Sequence, residues 1–306
     1  MLLSRDPETQ AWVDMILEEF WPGATRVVEA MEKWPGSEEP VHTGLSVANG
    51  ETKHLFTVLG ADKARMERFG RAMASLSAGE GFEIGHLVTG YDWKQFEGQQ
   101  GTVVDVGGSL GFASVALAEA YPGLKFVVQD LEKVYAGSDP QSKLPESVKG
   151  QIEFMAQDFF VENKVKGADV YLIRWCLHNW SDKYAIKILR ALVPALKKGA
   201  RIVVNDGVSP EPKGLGESWK DSKELTQDVA EGKETEAAVE EVNANWMGEK
   251  SMRGMDLIML QGLNAKERDV DEWKELFRQA DERFVWKGAW QPDGCRMWII
   301  EAEWAG

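Results

Sequence analysis

Cysteine is scarce in this chain. Its 306 residues contain two, Cys176 and Cys295, and neither belongs to a Cys-x-x-Cys pair. So few thiols fit a reducing compartment, and the expected location is cytoplasmic. Basic residues are also short: 35 Lys and Arg stand against 50 Asp and Glu, for a net charge of −15. That balance excludes nucleic acid as a natural partner, because phosphate binding needs a basic surface. It equally disfavours an anionic membrane. No long apolar run is present, and charge interrupts the opening Met-Leu-Leu-Ser-Arg-Asp at once, so no signal peptide is expected. Strand-like alternation is missing before residue 102.

What is present is enough apolar residue for a normal core, 43% of the chain, with thirteen tryptophans serving as core filler or as the wall of an aromatic pocket. Residues 9–33 read as a long helix, since Trp12, Ile16, Phe20, Val27, Val28 and Met31 recur near helical spacing, with a kink at Pro22-Gly23. Trp34-Pro35-Gly36-Ser37 ends it. A second helix is expected over 61–78, and a glycine-broken helical stretch over 79–100. Residues 1–100 are therefore an expected all-helical appendage.

From residue 102 the pattern becomes β-α-β. Expected strands are 102–106, 125–129, 152–156, 169–174 and 201–205, with helices at 111–120, 143–149 and 182–197. Such alternation implies a parallel sheet covered on both faces. Phe284–Gly288, a Gln-Pro-Asp-Gly turn and Arg296–Trp304 read as a late hairpin. Residues 207–250 are rich in Glu, Asp, Lys and Ser. They read as a solvated loop with a charged helix, or as a lid over a substrate mouth anchored by Trp219 and Trp246.

The most informative stretch is Val103-Val-Asp-Val-Gly-Gly-Ser-Leu-Gly111. An apolar run ends in Asp105, a glycine turn follows, and a helical segment begins at Phe112. A backbone turn of this kind lets a nucleotide-type ligand approach closely. The dinucleotide version needs glycine at three fixed positions, where this chain has Gly107, Ser109 and Phe112. A pyrophosphate cradle is thereby disfavoured, and with it a dehydrogenase. The spacing Asp105-x-Gly107-x-x-x-Gly111 instead resembles motif I of class I S-adenosylmethionine (SAM) methyltransferases, with Gly108 inside the turn.

Asp130 ends the second strand. A carboxylate there can accept both hydroxyls of a ribose; it also suits the N-cap of the next helix. Asp158, followed by Phe159, suits an adenine amino group and ring face, or a simple turn and core phenylalanine. His178 lies just past the fourth strand, where open α/β sheets bind ligands. Of the four histidines it alone lies outside the helical appendage, and its near-neutral pKa suits a general base.

Residues 174–182, Arg-Trp-Cys-Leu-His-Asn-Trp-Ser-Asp, resemble the Lys/Arg-Trp-x-x-His-Asp-Trp-Ser-Asp motif of the metal-independent plant and fungal O-methyltransferases of the caffeic acid and flavonoid type. Three more segments match in order: Val103–Gly111; Arg201–Pro210, with Asp206 at its acidic position; and Met255–Glu267. The resemblance spans roughly residues 10–306 and is closest to the fungal branch. It implies a class I methyltransferase sheet, Rossmann-like, mostly parallel with a C-terminal antiparallel hairpin, behind the helical appendage. Residues 101–306 would form the SAM-binding domain, with an acidic insertion at about 207–250.

The resemblance also implies roles. His178 would take the proton of a phenolic or enolic hydroxyl, with Asp206 and Glu267 as its orienting acids. Asp105, Gly107, Gly108, Gly111, Asp130, Leu131, Asp158, Phe159 and Arg174 would contact S-adenosyl-L-methionine, and Trp180 would pack on its adenine. Trp175, Met255 and Met259 would line the pocket of a small aromatic or polyketide-like acceptor; the two methionines fit a core helix equally well. No metal is implied. Read without the family, Asp206 fits a strand-end turn and Glu267 a surface charge.

Two departures stand out. Asn179 replaces the usual aspartate, which keeps a hydrogen-bonding side chain. The match also starts downstream of a winged-helix-like segment that in the family builds much of a homodimer and part of the substrate cap, so a homodimer is only a candidate assembly. The expected function is O-methyl transfer to a secondary metabolite. The alternatives are a SAM-binding enzyme of the same fold that does not methylate, pericyclase- or dehydratase-like, and a non-catalytic relic.

Overall fold

A computed structural model describes residues 7–136, 139–210 and 236–306 of the chain. Seven strands form one sheet in the order β3-β2-β1-β4-β5-β7-β6. They are β1 (Thr102–Val106), β2 (Lys125–Asp130), β3 (Ile152–Ala156), β4 (Val170–Arg174), β5 (Arg201–Asp206), β6 (Phe284–Trp290) and β7 (Trp298–Trp304). The first five are parallel, and β7 runs antiparallel between β5 and β6. The expected strands and the C-terminal hairpin are all observed, within a residue or two at their ends. This is the sheet of class I methyltransferases.

The central strands read as near-continuous Val, Leu and Ile because both faces are covered. Val104 and Val106 face one core with Tyr171, Ile188 and Trp273. Val103 faces the other with Leu117, Phe126 and Leu172. Asp105 alternates onto Val103's face by the two-residue period of a strand. β1 pairs with β2 on one side and β4 on the other, so the order reverses here and a crevice opens at the strands' carboxyl ends.

Two amphipathic helices cover the sheet beside that crevice. Asp182–Leu192 buries Ala185, Ile188, Leu189 and Leu192. Val270–Ala280 buries Trp273, Leu276, Phe277 and Ala280 and starts with a capping box between Asp269 and Glu272. Each set follows the i, i+3, i+4, i+7 spacing that makes one apolar stripe. Helix Glu236–Leu263 runs 28 residues and brings Met255 and Met259 to the crevice. Trp219 falls outside the described residues, as does the Trp246 side chain, and so does the lid reading that rested on them.

The N-terminal region is helical but more divided than its spacing suggests. The expected 9–33 helix is four pieces: Pro7–Met15, a π-helical turn Ile16–Phe20, Trp21–Ala24 and Val27–Lys33. Pro22 is accommodated in the first turn of its own short helix, where a missing N–H costs nothing. Buried Glu19 in the π turn is held by Arg65 and Arg68 from helix Lys63–Ser77. Short helices Gly44–Asn49 and Leu55–Gly60 complete this layer. Its core, Met15, Phe20, Leu55 and Leu59, is shared with Met259 and Leu263. Leu87, Tyr91, Trp93 and Phe96 pack instead into the sheet's core.

One expected helix is absent. Residues 143–149 form successive turns, and the helix in this crossover is the short Glu132–Tyr135. Leu144 and Val148 are buried, but Pro145 lies between them and the chain anchors them without a helix.

Candidate active site

One cavity of about 660 Å³ opens at the crevice, between the sheet's carboxyl edge and the helical layer. Asp105, Gly107, Gly108, Ser109 and Arg174 line it, together with Trp175, His178, Met255 and Met259.

The glycine turn is shaped by what surrounds it. Gly107 sits at φ +75°, a left-handed conformation costly to any residue with a Cβ. A Cβ on Gly108 would meet the Asp105 carboxylate at 2.4–2.7 Å, so only glycine lets the chain pass over that group. Gly111 closes the turn at the N-cap of helix Phe112–Ala120. Asp105 is buried, accepts a hydrogen bond from Ser114 Oγ at 2.7 Å, and is pushed up to about 6 by its burial.

Asp130 is tied to the same turn. Its Oδ2 accepts from Ser109 N–H at 2.9 Å and its Oδ1 from Leu131 N–H at 2.7 Å. The N-cap of the following helix is Leu131 rather than Asp130, so the helix-cap alternative does not hold. Ser109 keeps a left-handed φ of +51°, a strain of about 1–3 kcal/mol that the Asp130 bond helps to hold. Leu131 is partly exposed beside it.

Asp158 is exposed and accepts from the N–H of Phe160, closing its own turn. Phe159 lies against Gly107, and its ring meets Trp180 edge-on at 5.9 Å. Trp180 also packs on Phe160 at 4.7 Å and stacks on His54 at 5.3 Å. His54 belongs to the helical layer and went unnoticed in the sequence; burial takes its pKa down to about 4. Arg174 donates from Nε to Asn205 Oδ1 at 2.9 Å and from Nη2 to the Phe82 carbonyl.

Just past its carboxyl end, β4 hands over to a 3₁₀ turn, Leu177–Asn179. Trp175 precedes it at φ +52°, an unusual conformation for a bulky side chain, with its ring 5.0 Å from that of His178. His178 is buried. Its Nδ1 lies 2.7 Å from Glu267 Oε1 and 3.7 Å from Asp206 Oδ1, and its backbone N–H donates to Asp206 Oδ2. Asp206 and Glu267 are themselves buried, so neither is a surface charge. Burial alone would lower the imidazole's pKa, but the two carboxylates overcome it and raise it to about 9. Burial and the neighbouring Glu267 in turn raise that of Asp206, against the His178 charge.

The donor atoms of His178, Asp206 and Glu267 lie within 4.8 Å of one another, close enough to raise the question of a metal. Ligands on one zinc-sized ion, at about 2.0–2.2 Å each, stand about 3 Å or more apart. The 2.7 Å separation of Nδ1 and Oε1 is that of a hydrogen bond.

The fold and this crevice define a class I, SAM-type methyltransferase. A family model described as an O-methyltransferase domain matches residues 41–239, and the chain belongs to that family, whose methyl donor is S-adenosylmethionine. Chlorophenol O-methyltransferase of Trichoderma longibrachiatum is 39% identical over 99% of this chain and 59% of its own length. The chain thus spans about three-fifths of that relative. Among solved structures, a SAM complex of LepI aligns with TM-score 0.71 at 22% identity, over 99% of this chain and 69% of its own. The mitomycin 7-O-methyltransferase MmcR aligns with TM-score 0.69 at 24% identity, over 99% and 74%. Likeness at that distance shows a shared fold. Among the described residues no helix is long and apolar enough to cross a membrane.

Proposed function

We propose that the protein transfers a methyl group from S-adenosylmethionine to the hydroxyl of a small phenolic or enolic secondary metabolite, with His178 as the general base and without a metal. The observation that carries this reading is that one cavity joins the glycine turn to a buried histidine whose Nδ1 is held by a carboxylate.

The residues present fit the methyl donor. Glycine at 108 lets the turn pass directly over the Asp105 carboxylate, which a Cβ there would strike, and Asp130 would accept from a ribose beside that turn. Asp105, Gly107, Gly108, Gly111, Asp130, Leu131, Phe159 and Arg174 would hold it, with Trp180 and Asp158 towards the adenine. When bound, SAM supplies an electrophilic methyl carbon on a sulfonium centre.

His178 does the proton work. Nδ1 is committed to Glu267, which leaves Nε2 to accept the acceptor's hydroxyl proton. A phenol near pKa ~10 is a weak nucleophile at neutral pH, so loss of that proton is what makes its oxygen reactive. Asp206 and Glu267 stabilise the imidazolium that forms. The cavity walls exclude water and orient the acceptor, and positioning of this kind is worth several orders of magnitude.

The acceptor end favours a lipophilic ring. Phe20, Phe69, Met73, Met255, Ile258 and Met259 line it. Pliable thioethers pack well against aromatic rings. The relative named for chlorophenols makes a chlorinated phenol the first acceptor to assay. The test is transfer of radiolabelled methyl from SAM to a panel of such phenols by the wild-type chain and by His178→Ala. Transfer that falls about 10²–10⁴-fold in the variant, with S-adenosylhomocysteine still bound, is expected. Equal transfer by both proteins would remove His178 from the reaction.

A further inference from the structure

Arg268 is the residue next to His178's partner, and it is wholly buried. Its guanidinium donates from Nη1 to the Leu177 carbonyl at 3.1 Å, from Nη2 to the Trp180 carbonyl at 2.7 Å and from Nε to Asp182 Oδ1 at 2.8 Å. The two carbonyls flank the 3₁₀ turn that carries His178, and Asp182 opens the helix that follows. The Leu177 carbonyl also accepts the Trp180 N–H that closes the turn, and the planar fork takes its second lone pair together with the Trp180 carbonyl. Arg268's own carbonyl accepts from Ser209 N–H at 2.8 Å, just beyond the β5 end that bears Asp206. The guanidinium lies over the Trp273 ring at 5.2 Å.

One residue therefore links the three segments that meet at the imidazole. We propose that Arg268 is a positioning residue: it holds the Leu177–Asn179 turn in the register at which His178 Nδ1 meets Glu267. It touches neither ligand and acts only through His178. The inference rests on the general-base reading for its consequence in catalysis, but its geometry can be tested apart from catalysis.

The charged groups around the imidazole are few. Asp206 faces it from the end of β5 and Glu267 from the loop before helix Val270–Ala280; Arg268 opposes its charge from the same loop. Behind Glu267, Asp256 on helix Glu236–Leu263 accepts the Glu267 N–H, and Lys266 pairs with Asp182 and Glu272. Replacing arginine by lysine keeps the positive charge and loses the fork. A change in His178 would then report position rather than net charge.

The experiment is an NMR titration of protein labelled at histidine Cε1, with the His178 signal among the four histidines assigned by His178→Gln. The wild-type signal is expected to titrate near 9. In Arg268→Lys, folded by circular dichroism and binding S-adenosylhomocysteine within threefold, the midpoint should fall by a unit or more towards 6.5 as the carboxylate contacts loosen, and the plateau kcat above pH 9 should fall at least tenfold with KM for SAM unchanged. A folded variant whose His178 titrates as in the wild type would overturn the proposal, whatever its rate. Should Arg268→Lys fail to fold, Asp182→Asn removes the guanidinium's carboxylate anchor at a partly exposed position. It should move the midpoint in the same direction by less, and no movement there would also overturn the proposal. Absence of methyl transfer by the wild type would sink the catalytic reading alone, because the midpoint shift needs no turnover.

Discussion

His178 Nδ1 and Glu267 Oε1 lie 2.7 Å apart although 89 positions separate them in the chain. Both are buried, and Asp206 stands beside them. Two carboxylates around one imidazole favour its charged form, which places the pKa at about 9 despite burial.

That value sets a pH profile. A base must be unprotonated to act, and a raised pKa keeps His178 protonated at neutral pH. The rate constant kcat should therefore climb about tenfold per unit from pH 6.5 and level off above 9. Glu267→Gln removes one carboxylate, so the midpoint should move down by a unit or more while the plateau falls. The check is kcat against pH for both proteins under saturating substrates. A wild-type profile flat from pH 6.5 to 9 would show that His178 deprotonation does not limit turnover.

Much of this site is legible in the sequence, and the reason is local. A strand followed by glycines at fixed spacing encodes its own turn, so Val103–Gly111 carried β1 and the crevice together. What the sequence concealed depends on distant contacts. Arg268 sits in a Lys-Glu-Arg-Asp run that looks like solvated surface, yet its side chain is wholly buried because three acceptors from residues 177–182 surround it. Residues 143–149 misled in the opposite direction. Leu144 and Val148 have helical spacing and are buried, but turns achieve the same burial. Pro22-Gly23 marks a kink in the first helix by its residue types alone, whereas the π turn that ends at Phe20 depends on buried Glu19 reaching Arg65 and Arg68 some fifty residues away.

Asp130 holds the glycine turn and, under the proposed function, would also bind a ribose; substitution can separate the two. Its carboxylate already holds Ser109 and Leu131, and a ribose would use the remaining lone pairs. Asp130→Ala should raise the dissociation constant for S-adenosylhomocysteine at least tenfold in calorimetry, because it removes both. Asp130→Asn keeps an acceptor for the turn and should lose less. Wild-type affinity in the alanine variant would confine Asp130 to neither duty and would move the nucleoside elsewhere.

Metal removal separates the hydrogen-bonded reading of His178 from a coordinated one. Since Nδ1 and Oε1 are at hydrogen-bond distance, dialysis against EDTA should leave the methyl-transfer rate within twofold. Loss of the rate, followed by recovery on adding magnesium or zinc, would show that the three side chains serve an ion instead.

Gly207 offers a way to disturb the His178 partner without altering any functional group. A Cβ there would lie 2.6 Å from Glu267 Oε2 and 2.7 Å from Met252 Cε. Gly207 does not hold a left-handed φ, so alanine adds a methyl group rather than backbone strain. The thioether end of Met252 can swing aside, and the buried Glu267 Oε2, which no hydrogen bond holds, is the other group that must move. Gly207→Ala should push the carboxylate away from Nδ1. The expected result is a fall of about tenfold in the plateau kcat above pH 9 with a lower midpoint in the pH profile, since an imidazole less supported by carboxylates is easier to deprotonate. Affinity for S-adenosylhomocysteine should be unchanged, because the added methyl group meets Glu267 and Met252 rather than any residue of the glycine turn. A variant with wild-type kcat and midpoint would mean that Glu267 can shift without consequence, and that Asp206 alone sustains the imidazolium.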